Sequence, residues 1–100
     1  MVDQFLRVAD ELGWDVRVQI EKLEAFAGLC GASARLEEEL EQRGLIGSAR
    51  YDLKRVRDVM LDFVTTLGNH GAMNHFLRRE LRLAAEARAA ADAAARDARR

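Results

Sequence analysis

The sequence predicts an all-α protein, and three observations carry that prediction. Proline is absent from all 100 residues, no β-branched run alternates with period two, and apolar residues recur at spacings of three and four between glycines. The glycines act as punctuation: Gly13, then Gly44 and Gly47, then Gly68 and Gly71 each fall where an apolar period stops. They divide the chain into four helices.

The first helix is expected over about residues 2–12, with Val2, Phe5, Leu6, Ala9 and Leu12 on one face. The second is expected as one long helix over about 16–43, roughly 42 Å at 1.5 Å per residue, with Asp15 as N-cap and Gly44 as stop. It carries two apolar seams. One reads Val16, Ile20, Leu23, Ala27, Cys30 and Ala34, and the other reads Phe26, Leu29, Ser33, Leu36 and Leu40. Together they are wider than the apolar stripe of roughly 100° on an ordinary surface helix. A surface of that width needs several neighbours, so the second seam is expected to form an interface between copies of the chain. Gly28 and Gly31, inside this helix, mark either a tolerated kink or a close approach of another backbone.

A third helix is expected over about 50–67, capped by Ser48, with Leu53, Val56, Met60, Phe63 and Leu67 in register. The short connection at 44–49 predicts an antiparallel hairpin with the second helix. A fourth segment, about 72–98, begins amphipathic with Met73, Phe76, Leu77 and Leu81. It then turns alanine-rich, with ten alanines in the fifteen residues from Ala84 to Ala98. Alanine favours helix but buries little area, so this segment is expected to project or fray. Arg88, Asp92 and Arg96 fall at the spacing of helical charge pairs. Residues 1–68 are thus read as a hairpin oligomerisation domain and 69–100 as a helical tail.

Half the residues are apolar and a third are charged, which describes a globular chain rather than a disordered or membrane-spanning one. Asp3 and Arg7 stand where a signal peptide needs apolar residues, so an intracellular protein is expected. A single cysteine, Cys30, makes no internal disulfide and is read as a buried structural thiol. The net charge of -1 hides an asymmetry: residues 1–49 hold five basic and ten acidic side chains, residues 50–100 eleven basic and seven acidic. Two ends of one small domain are thereby suited to different partners.

Little in the sequence suggests catalysis, and no catalytic residue, metal ligand or cofactor is assigned. His70 and His75 lie five apart, about 140° off alignment on a helix, which is wrong for a shared metal ion. The stretch GLCGAS lacks the lysine and spacing of a phosphate-binding loop. Glu37, Glu38, Glu39 and Glu41 read as a solvated face, and Trp14 as a packing anchor between the first two helices. Arg50, Lys54, Arg55 and Arg57 are the first candidates for nucleic-acid contact, with Arg50, Lys54 and Arg57 on one outer face. Arg78, Arg79 and Arg82 are a second set.

The stretches FLRVADELG, LEAFAGLCGASARLEEELEQRGLI and DLKRVRDVMLDFVTTLG, covering about residues 5–68, resemble the small subunit of phage terminases, the packaging proteins of tailed phages and phage-derived gene transfer agents. The resemblance implies a ring-forming, non-catalytic protein in the cytoplasm of a bacterial host, with no membrane contact. It also implies a protein that recognises or holds the DNA to be packaged and recruits or regulates the large terminase subunit, an ATPase and nuclease. Many such proteins carry an N-terminal helix-turn-helix domain and a proline- and serine-containing stretch after the Leu-Gly, whereas here a dozen residues precede the long helix and NHGAMNHFLRRELR follows the Leu-Gly, so contact with double-stranded DNA is expected to be weak and largely non-specific. A competing expectation is a small helical adaptor or antitoxin-like protein that covers its apolar face with one protein partner.

Overall fold

The computed structural model describes residues 2–45 and 52–99. Among them the chain is helical throughout, with five helices and no strand: α1 Val2–Leu12, α2 Val16–Leu29, α3 Ser33–Gln42, α4 Leu53–Thr66 and α5 His70–Ala98. The all-α expectation holds. The boundaries of α1 agree with the apolar period, and Asp15 caps α2 as expected, accepting the Val18 N–H at 2.9 Å.

The long second helix is corrected. It is two helices, α2 and α3, broken at Cys30–Ala32. Gly31 adopts φ +69°, a left-handed conformation that costs a residue with Cβ about 1–2 kcal/mol. Its N–H donates to Gly28 O at 3.0 Å, and the Ala32 N–H reaches back to Ala27 O at 2.8 Å. That pair of bonds closes the last turn and satisfies two carbonyls that the helix end leaves open. Buried Ala32 supplies the apolar contact that accompanies such a stop. The same bonding ends α1 at Gly13 and α3 at Gly44. Gly28 keeps helical geometry, and a Cβ there would meet the Ser33 hydroxyl at 3.3 Å.

Two further boundaries differ. α4 begins at Leu53, where Asp52 accepts the Lys54 N–H at 2.9 Å, rather than at residue 50. Ser48, expected as its cap, lies outside the described residues. α5 begins at His70 because Asn69 accepts the Ala72 N–H at 3.1 Å.

α4 packs on α2 and α3, and α5 packs on α1. Phe5, Leu23, Phe26, Met60, Val64 and Met73 are the largest side chains withdrawn from solvent, and one continuous apolar cluster joins all five helices. The first half of α5 belongs to it: Met73, Phe76 and Leu77 are buried, Phe76 meets Phe26 edge-on at 5.7 Å, and Glu80 accepts from Lys22 Nζ at 2.9 Å. The core therefore runs across position 68. The second half is different, since every residue from Ala85 to Arg99 is exposed. α5 is roughly 43 Å long and contributes to an outline of 57 × 33 × 21 Å.

Trp14 is the packing anchor that its position predicts. Its ring lies 5.9 Å from Phe5 and under Lys22 Nζ at 5.3 Å. Gln19, buried beside it, donates to Trp14 O at 2.9 Å.

Candidate functional site

The break at Gly31 opens a concavity. Because α3 no longer continues the axis of α2, Leu36 and Leu40 turn onto the same core as Ile20. With Leu45, Leu53 and Val56 they floor a groove of about 520 Å³ between α2, α3 and α4. Its rim is acidic: Glu21 and Glu24 from α2 and Glu37 from α3, with Arg17 at one end. Among the described residues none of these carboxylates is held in an ion pair. The Glu24 carboxyl is raised above its ordinary value, first because the groove partly desolvates it, then because Glu21 and Glu37 repel its charge. An apolar floor with a mostly acidic rim is suited to binding a cationic, partly apolar group.

The expected interface residues do not stay together. Phe26, Leu36 and Leu40 are buried in the chain's own core, at 1%, 3% and 6% exposure. Of the remaining two, Ser33 is exposed and Leu29 is 69% exposed. The break at Gly31 divides the second seam, turning Phe26, Leu36 and Leu40 onto the chain's own core and leaving Leu29 and Ser33 outside it. Leu29 stands beside a smaller hollow of about 240 Å³, which Phe26, Cys30, Ala72, Phe76 and Arg79 also line. Cys30 is half-buried there at the end of α2, rather than inside a helical seam.

The basic residues also divide. Arg50 lies outside the described residues. Lys54 and Arg55 are exposed on the first turn of α4. Arg57 leaves the expected outer face: it is half-buried and pairs with Asp58 at 3.1 Å. Arg78, Arg79 and Arg82 are all exposed on α5, with Arg82 near Glu86 at 3.9 Å. That is the ion pair α5 forms within itself among the described residues, in place of the expected Arg88, Asp92 and Arg96 series. His70 and His75 are both exposed, and no group of acidic, histidine or cysteine side chains among the described residues is placed to hold a metal ion. No helix among them is long and apolar enough to cross a membrane.

The groove was not legible beforehand, because its walls come from three helices and its shape depends on the turn at Gly31. One signal was present. Gly31 followed by Ala32 repeats the glycine-then-apolar pattern of Gly13–Trp14 and Gly44–Leu45. Comparison with protein-family models, with curated proteins and with solved structures finds no match to this chain.

Proposed function

We propose that this chain is a non-catalytic helical protein that assembles with copies of itself and holds double-stranded DNA weakly through exposed arginines. That is the role of the small terminase subunits its sequence resembles, in a bacterial cytoplasm beside a large ATPase-nuclease subunit that it recruits or regulates. The observation that carries the reading is α5. A 29-residue helix presents Arg78, Arg79 and Arg82 to solvent and leaves its second half uncovered by the rest of the chain. A helix whose second half has no covering neighbour is suited to reach something outside its own chain, and arginines on it neutralise phosphates. Assembly into a ring also repeats the basic residues exposed elsewhere, such as Lys54 and Arg55 on α4, so contacts that are weak singly become a continuous track.

The second reading, an adaptor for one protein partner, is favoured by a different feature, the acidic groove. DNA binding separates the two. Fluorescence anisotropy with a duplex of arbitrary sequence at low and moderate salt is expected to show binding that weakens steeply with salt, because each neutralised phosphate releases counterions. Replacing Arg78, Arg79 and Arg82 together by alanine should flatten that dependence. Lys54→Ala with Arg55→Ala tests whether α4 shares the contact. Absence of binding at low salt contradicts the DNA-holding reading and leaves the adaptor.

A further inference from the structure

We propose that the groove between α2, α3 and α4 seats the arginine-bearing stretch of α5, Arg78 to Leu83, from a second copy of this chain. The inference rests on the self-association in the reading above and names the surfaces that perform it; seating in the groove and DNA phosphates compete for these arginines, so the copies seated this way contact DNA through Lys54 and Arg55 instead.

The two surfaces are complementary in charge and polarity. The groove presents three carboxylates, Glu21, Glu24 and Glu37, around an apolar floor, against one guanidinium, Arg17, at its end, so its rim is net negative. The α5 stretch presents three guanidinium groups, Arg78, Arg79 and Arg82, beside Leu83, which is 43% exposed and one of two large apolar side chains the described chain leaves in water. Arg79, Arg82 and Leu83 share one helix face by their spacings of three and four. A groove of about 520 Å³ has the size of a small-ligand cleft, roughly 300–1,000 Å³, so it takes the tips of several side chains rather than a whole helix. Like charges crowded on its rim are relieved when cations enter; the Glu24 carboxyl is raised first by partial burial and then by this crowding.

The chain's own α5 is on the wrong side to fill the groove. α5 holds α2 through Lys22 and Phe26, whereas the groove uses Ile20 and Glu24. Residues two apart on a helix point about 200° apart, so α5 and the groove occupy opposite faces of α2. The contact must then be made between chains. Because donor and acceptor surfaces differ, the contact is head-to-tail, and such contacts repeat into a ring when the rotation closes or a filament when it does not.

Charge exchange tests this in the full-length chain. The groove variant carries Glu21→Lys, Glu24→Lys and Glu37→Lys, and the α5 variant carries Arg78→Glu, Arg79→Glu and Arg82→Glu; all six positions are exposed. Light scattering should show wild-type assembly that weakens with salt, while each variant alone falls to the monomer mass of 11.2 kDa. An equimolar mixture should reassociate, since each variant's groove then meets an opposite charge on the other's α5; reassociation also shows both to be folded. The milder set Glu21→Gln, Glu24→Gln and Glu37→Gln should weaken assembly and flatten its salt dependence. Wild-type assembly that survives both exchanges, or variants that fail to reassociate, overturns this inference while self-association stands. A wild type that stays monomeric at every concentration overturns both and leaves the groove to a basic segment of a different protein.

Discussion

Leu36 and Leu29 stand on one seam in the sequence and in opposite environments in the fold, which makes them the sharpest test of the break at Gly31. Leu36 is 3% exposed and Leu29 is 69% exposed. Truncating a buried leucine to alanine costs about 2–5 kcal/mol, the sum of lost transfer energy and the cavity left behind. Leu36 walls the groove, so neighbours and water can relax into the space, which places the cost near the lower end, about 2–3 kcal/mol. For a chain of this size about 1 kcal/mol lowers Tm by roughly 4–8 °C, so Leu36→Ala should lose on the order of 10–20 °C. Leu29→Ala removes little buried area and should stay within about 0.5 kcal/mol of wild type. Thermal and urea unfolding followed by circular dichroism, at concentrations low enough to hold the chain monomeric, measures both. A continuous helix with the second seam facing another copy predicts the reverse ordering of monomer stability and assembly: both variants would weaken assembly and neither would much affect the monomer. Equal and small losses from Leu36→Ala and Leu29→Ala would refute the described packing.

Other outcomes follow from the same geometry. Gly31→Ala places a Cβ at φ +69° and should destabilise by about 1–2 kcal/mol, whereas Gly28→Ala, at a helical position where the Ser33 hydroxyl can turn away from the added methyl, should stabilise by up to about 1 kcal/mol; paired urea titrations distinguish the two. Glu24 has a raised carboxyl pKa in the fold, so the folded state holds its proton more tightly than the unfolded state. Its contribution is favourable below the ordinary value of 4.5 and is lost as pH rises through the folded value. Glu24→Gln should therefore raise Tm at neutral pH and make little difference in acid, and an equal gain at both would contradict a carboxyl raised by burial and by its neighbours Glu21 and Glu37.

Much of the fold could be read from residues three and four apart, because α1, α4 and the start of α5 each bury one simple stripe. The Asp15 cap and the Gly44 stop were legible for the same local reason, since a cap is chemistry between near neighbours. The break at Gly31 escaped because α2 and α3 both use spacings of three and four, so the apolar rows read straight through it. Only the glycine-then-apolar pair at Gly31–Ala32 marks the turn. The adjacency of Arg57 and Asp58 makes their ion pair legible, but how far Arg57 is withdrawn from water depends on the helices packed against α4, which a one-dimensional pattern does not show. The groove depended on the mutual placement of Glu24, Glu37 and Val56, which come from three helices, and no local signal encodes that.

Self-association underlies both the proposed function and the proposed groove contact, and the mass of the protein in solution decides it. Light scattering from dilute to concentrated wild-type protein should give a mass that rises above 11.2 kDa to a defined multiple and falls back when salt is raised. A mass that remains at that of one chain throughout would contradict the account.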